Sequence, residues 1–299
     1  MKILLTGANG FVGRNLVDFF LSENSQVMAI SSRKNTNQHL RMYVQVDDIL
    51  RMHKSEQLLQ TIRNFKPDVF LHCAAATTSN HSEAEFEKIN IKFTESCALL
   101  CKVTDVPKFL FVSSVPIAKF SKNELINEDS PSLPRTPYHW SKYKAEAMLQ
   151  EKFGDSLNFN VLRISAPVGR YMNTSRLISY LIKCLEEEIN PILLKDGSRI
   201  QNYIDIRDFG HLVMHSSALD SGELYVVPGR TTISNFDLAK LVIEKKKHLG
   251  LDVCFDQKWD PVNDERWKID GTKIYSKLYW RPKYSISETI DFLRKDTHE

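Results

Sequence analysis

What most constrains this chain is the alternation of short apolar runs with longer amphipathic ones over roughly its first 165 residues. Ile3–Thr6 reads as a strand, Gly13–Ser22 as a helix, Gln26–Ser31 and Val44–Val46 as strands, and Ser55–Phe65 as a helix. "DVFLHCAA" (68–75) is strand-like, Glu85–Val103 is a long helix, and "KFLFVSS" (108–114) is a strand. Tyr138–Phe153 is again a helix and "NFNVLRIS" (158–165) a strand. Strands apolar on both faces need helices over each face, which implies a parallel sheet. The expected fold class is α/β, a doubly wound parallel-sheet Rossmann domain over 1–165.

Beyond residue 166 the alternation weakens. Helices are expected at Ser175–Glu188 and Asn235–Leu249, with short strands in "PILLK", "QNYIDI" and "LYVVPG". These imply a smaller mixed C-terminal lobe over 166–299 that is mainly substrate-binding, with some segments returning to the first domain. The stretch 120–137, rich in Ser, Pro and Asn, is expected to be an irregular loop beside a site.

Composition narrows the function class. A net charge of +3 across 299 residues gives no basis for expecting nucleic acid or a membrane surface as partner. The opening "MKILLTGANG" has too short an apolar run for a signal peptide, and no later stretch is long enough to span a bilayer. A cytoplasmic protein is expected. The five cysteines (Cys73, Cys97, Cys101, Cys184, Cys254) are odd in number and scattered, as reduced thiols are. Cys97 and Cys101 lack a second ligand pair, so no metal is expected.

"TGANGFVGRNLV" follows the first strand and opens the first helix. Gly7 permits a sharp turn, Gly10 lets the backbone approach a pyrophosphate, and Gly13 lets the helix pack on the strand. Asn9, Phe11 and Val12 line the same turn, so a dinucleotide is expected at the helix N-terminus. The second strand ends in Ser31, Ser32, Arg33 and Lys34, with no carboxylate to repel a 2′-phosphate. Two hydroxyls and a guanidinium favour NADP(H), with NAD(H) as the alternative. Further on, "PYHWSK" sets Tyr138 and Lys142 on one helix face. An ammonium there is expected to lower the tyrosine pKa and make Tyr138 a usable acid or base. Ser114 ends a strand on the carboxyl edge of the sheet, where such folds bind ligands.

Taken in order, "TGANGFVG", "VDDI", "HCAAA", "NIKFT", "FVSS" and "YHWSK" resemble the extended short-chain dehydrogenases/reductases. More narrowly the chain resembles the NAD-dependent epimerase/dehydratase group that acts on nucleotide sugars. The resemblance implies Tyr138 as acid/base, with Lys142 lowering its pKa and holding the nicotinamide ribose. It implies Ser114 on the reacting oxygen and Asn90 orienting Lys142 through a water. Asp48 and Ile49 are implied at the adenine, and the backbone of Ala74, Ala75 and Ala76 along the cofactor. It also implies a homodimer packed through Glu85–Val103 and Tyr138–Phe153.

Dehydratases of the group carry Asp-Glu after the catalytic hydroxyl residue, whereas here those positions are Val115 and Pro116, neither of which moves a proton. Two chemistries remain: NADPH-dependent reduction of a 4-keto-6-deoxy nucleotide sugar, and 4-epimerisation with tightly held NAD. The Arg33 region and the "VPIAK" that replaces the group's usual "VYG" favour the reductase. Where the group places a diphosphate-gripping arginine, Gln201 stands, so Arg199 or Arg266 substitutes or the substrate has no diphosphate there. A carbonyl reductase of a non-sugar substrate is therefore a further alternative. A dinucleotide-sensing regulator would typically have lost Tyr138 or Lys142.

Overall fold

The computed structural model describes residues 1–77, 80–120, 125–258, 260 and 262–295. The chain begins with β1 (Lys2–Thr6), the glycine turn and α1 (Phe11–Ser22), then β2 (Gln26–Ser31), β3 (Met42–Gln45), α2 (Glu56–Phe65) and β4 (Val69–His72). Next come α3 (Glu83–Phe86), a π-helical stretch (Glu87–Lys92) and α4 (Phe93–Val103) in one helical run. β5 (Phe109–Ser114), α5 (Pro137–Phe153) and β6 (Phe159–Ile164) complete the regular alternation.

The seven-stranded sheet has the order β3-β2-β1-β4-β5-β6-β10, where β10 is Leu224–Val227. Every pairing in it is parallel. The order reverses between β1 and β4, and the crevice beyond their carboxyl ends is where a doubly wound sheet takes its ligand. One face buries Leu16, Val17 and Phe20 of α1 with Phe209 and Leu212 of α7 (Ile206–Met214). The other buries Ile62 of α2, Cys97 and Leu100 of α4, and Ala145 and Leu149 of α5. Each fully buried Leu or Phe contributes about 1.5–3 kcal/mol.

The C-terminal lobe combines β7 (Ala166–Val168), β9 (Ile200–Asp205) and β11 (Thr231–Ser234) in one sheet with β8 (Ile192–Leu194) and β12 (Cys254–Asp256) in another. Its core joins Leu181 and Leu185 of α6 (Leu177–Glu186), Leu238 and Val242 of α8 (Asn235–Ile243), and Ile290 of α10 (Ile286–Lys295). A short helix α9 (Thr272–Leu278) packs on β10.

Two expected elements differ in form. Glu85–Val103 is helical throughout but loosens to the π form over Glu87–Lys92. The helix expected to reach Leu249 is α-helical only to Ile243, and Lys246 takes φ −127, ψ 52 inside the tighter turns that follow. The run Glu-Lys-Lys-Lys-His buries nothing, so no apolar stripe holds it in register. "LYVVPG" supplies β10, which pairs with β6 on the large sheet rather than with the lobe's strands. Within 120–137, residues 121–124 lie outside the described residues, and Ala118↔Ser132 and Ile126↔Ile269 are bridges. All five cysteines are free thiols. Among the described residues no helix is long and apolar enough to cross a membrane.

Candidate active site

The glycine turn is shaped by steric need. Gly7 has φ +84, and a Cβ there would sit 2.7 Å from the amide nitrogen of Ala74, so β1 and the loop after β4 approach as closely as backbones allow. A Cβ on Gly13 would collide with the Gly7 carbonyl oxygen. Gly10 begins α1 without any side-chain cap, which leaves the first amide groups of the helix open to an anion. The residues present therefore fit a dinucleotide pyrophosphate. Asn9 ties this turn to the loop after β2. Its Nδ2 donates to the Lys34 carbonyl at 2.9 Å, and its Oδ1 accepts from the Thr36 amide at 3.1 Å.

Ser32 and Arg33 are exposed, and the Arg33 carbonyl accepts from Tyr43 Oη. No carboxylate pairs with the Arg33 guanidinium among the described residues. Asp48 is exposed, and its Oδ1 accepts from the Leu50 amide at 2.9 Å. Ile49 packs partly against the core below it. Phe11 and Val12 are partly buried beside α1's first turn, and Ala75 lies between Ala74 and Ala76 on the loop that follows β4.

Asn90 is 1% exposed on the π-helical stretch. Its Oδ1 accepts from the Ala76 amide at 2.7 Å, and its Nδ2 donates to the Ala76 carbonyl at 2.9 Å and to Ser141 Oγ at 2.8 Å. It thus fixes the post-β4 loop to α5 through Ser141, the neighbour of Lys142. Thr136 caps α5 by accepting from the His139 amide at 3.1 Å, with Pro137 at the first helical position. That cap sets where Tyr138 enters the cleft. Behind it, Glu146 accepts from Ser113 Oγ and pairs with Arg163 at 2.6 Å, a buried network joining α5 to β5 and β6.

Ser114 is partly buried at the end of β5, next to the buried Val115–Ile117 turn. Lys142 is 2% exposed, with its ammonium 3.8 Å from the centre of the Phe111 ring. Burial drags its pKa down to about 7, against the pull of Glu146 and Cys73. Tyr138 corrects an expectation. Burial pushes its phenol up to about 12, and the cation that works against this is Arg176, not Lys142. Lys142 sits on the Phe111 face, while Arg176, preceding α6, lies 5.4 Å from the Phe11 ring and contributes the charge that opposes the rise.

Besides Ser114, the three substrate residues expected in the C-terminal lobe are engaged within the protein. Arg199 donates to Glu265 Oε2 through Nε at 3.1 Å and Nη2 at 2.7 Å. Gln201 Oε1 accepts from Tyr203 Oη at 2.8 Å. Arg266 Nη1 donates to the carbonyls of Asn263 and Glu265. Sequence reasoning passed over Arg135, Arg176, His139 and Glu265. Arg135 and His139 flank Tyr138 and were findable by position, but nothing local marks Glu265 or Arg176.

Comparison with known proteins gives the family and the fold. Residues 3–227 match the model of the NAD dependent epimerase/dehydratase family. Human dTDP-D-glucose 4,6-dehydratase is 26% identical, over 99% of this chain and 91% of that protein. The dTDP-glucose 4,6-dehydratase of Bacillus anthracis in complex with NAD superposes with a TM-score of 0.81 at 21% identity, covering 99% of this chain and 96% of that one. The UDP-glucose 4-epimerase of Thermotoga maritima with UDP-glucose gives a TM-score of 0.82 at 20% identity, covering 100% of both chains. At such identities the two structures share the fold.

Proposed function

The chain belongs to the NAD-dependent epimerase/dehydratase family, and on that premise we propose that it is a cytoplasmic NADPH-dependent reductase of a 4-keto-6-deoxy nucleotide sugar. The reading is carried by the loop after β2, where the exposed Arg33 has no carboxylate partner among the described residues and is open to a 2′-phosphate. Tyr138, its phenol pushed up to about 12 by burial, supports it as a proton donor. A protonated phenol suits donation to a ketone oxygen, the need of a reduction, more than abstraction from an alcohol. Val115 and Pro116, both buried, leave no acid–base pair for eliminating water.

In this reading Gly7, Gly10, Gly13 and Asn9 hold the cofactor's phosphates, and Arg33 with Ser32 takes the 2′-phosphate. The bound nicotinamide supplies the hydride. Ser114 hydrogen-bonds the substrate carbonyl oxygen and Tyr138 delivers its proton. The Lys142 ammonium steadies the ribose side of the cleft. Exposed Trp140, with the exposed Tyr143 ring 6.0 Å from it, lines a 630 Å³ groove between α3–α4 and α5, which supports a homodimer through this face.

A second reading is a 4-epimerase with tightly held NAD, favoured by the likeness to the Thermotoga UDP-glucose 4-epimerase. Identifying the nucleotide that the purified protein carries, then titrating it with NADPH and NADH by fluorescence, separates the two. Little bound cofactor and preference for NADPH is the expected result. Stoichiometric NAD overturns the reductase.

A further inference from the structure

His139 follows Tyr138 on α5, and nothing in the proposed reaction uses it. The two residues stand about 100° apart around the helix, so the imidazole sits beside the phenol rather than behind it. The ring centres are 5.4 Å apart and the planes are tilted by 56°. The backbone there is fixed, because the His139 amide donates to the Thr136 cap at 3.1 Å. Trp140, a further turn of about 100° round, lines the groove between α3–α4 and α5 instead.

The two nitrogens of the His139 ring have different surroundings. Nδ1 is buried without a hydrogen-bond partner. Nε2 has no partner among the described residues either, yet it is not sealed from solvent. Burial, with the Arg135 charge added and Glu265 opposing, drives the pKa down to about 4, so the ring is neutral and carries a single N–H. A buried N–H with no acceptor is the rarer arrangement, which assigns the proton to Nε2. The side chain therefore offers one donor, on its open edge. Packing alone does not call for this residue, since an apolar ring fills the same space without leaving a buried polar atom unpaired.

Given the reductase reading, we propose that His139 is a specificity-determining residue whose Nε2–H donates to a substrate hydroxyl on the carbon next to the reacting carbonyl. In a 4-keto-6-deoxyhexose the ketone oxygen is taken by Tyr138 and Ser114. Of the two ring carbons beside that ketone, only C3 carries a hydroxyl, and it is the oxygen that a donor beside the phenol meets first. A site that hydrogen-bonds a substrate hydroxyl discriminates against the analogue lacking it, because its own polar group is then left unpaired.

The test compares kcat/KM on a 4-keto-6-deoxyhexose linked to dTDP or UDP with that on its 3-deoxy counterpart. The parent protein is expected to prefer the hydroxylated substrate by about tenfold, and His139→Ala to bring that ratio near one. His139→Gln, whose amide reaches the place of Nε2, restores part of the ratio, whereas His139→Asn, whose amide falls at the place of Nδ1, does not. A histidine that only packs lowers both rates together, and a ratio that survives His139→Ala overturns the proposal. Should His139→Ala fail to fold, the Gln and Asn variants carry the comparison, and equal ratios in the two overturn it. A parent protein active on both sugars without discrimination removes the role of His139 alone. One that binds NADPH but turns over no 4-keto sugar removes the reductase reading and the role together.

Discussion

On the β1–α1 side of the cleft the fit is made by backbone: Gly7 against Ala74, Gly13 against the Gly7 carbonyl, and Ala76 clamped at both its amide and carbonyl by Asn90. On the opposite side, around β9 and residues 262–270, the fit is made by long side chains pairing with one another: Arg135 and Arg199 on Glu265, and Phe120 on Trp267. The first wall has almost no freedom and suits a ligand that never varies. The second can be re-paired by single substitutions without disturbing a strand, which suits a substrate that differs from one family member to the next. Under the proposed function, a fixed cofactor and a variable substrate would thus use different materials.

The largest effect is expected where the walls meet. Tyr138→Phe removes the proton donor and should lower kcat by about a thousandfold, with cofactor affinity nearly intact, by steady-state kinetics beside a fluorescence titration. Retained turnover would remove Tyr138 from the mechanism. Gly13→Ala tests the backbone wall alone. It should cost about 3 kcal/mol in a denaturant melt and abolish dinucleotide binding. A normal melt with normal binding would break the comparison, because this wall would then tolerate a side chain.

Arg33→Ala is the smaller test, since it touches a single side-chain contribution among those proposed for the cofactor wall. NADPH affinity should fall about tenfold while NADH affinity stays constant, because only the 2′-phosphate loses a charge-assisted partner. Equal loss of both would remove Arg33 from cofactor choice.

The gentlest effect is on pH dependence. Burial lowers Lys142 from 10.5 to about 7, so its ammonium is intact below that pH and is lost as pH rises through it. Tyr138 stays protonated across this range. In the free enzyme kcat/KM should therefore decline from about pH 6 to about pH 8, and Lys142→Arg should flatten the decline. A limb that appears only near pH 10 would assign it to another group.

The glycine turn, the placement of Ser114 at a strand end and that of Tyr138 and Lys142 on one helix were legible because each is marked by a short-range rule: three-residue glycine spacing, a strand end, an i,i+4 pair. The strands of the large sheet were legible for the same reason, their two apolar faces being local. Glu265 was not, because its partners lie at positions 135 and 199 and no periodicity links them. The raised pKa of Tyr138 was equally hidden. Spacing puts a lysine near it, but how deeply the phenol is buried, and that the facing cation is Arg176, are properties of the assembled cleft. Asn90 could be singled out from "NIKFT", yet its engagement of Ser141 depends on a change of helical form that the sequence does not announce.

That change of form, the π-helical stretch Glu87–Lys92, carries a consequence for redesign. A π turn holds one residue more than the α turn it replaces. Trimming a residue to regularise the run would therefore twist α3 by about 100° relative to α4. Asn90 would swing off both Ala76 and Ser141 although the run would be a more regular helix. The irregular turn acts as a phase setting, and a smoother helix would be a blunter tool.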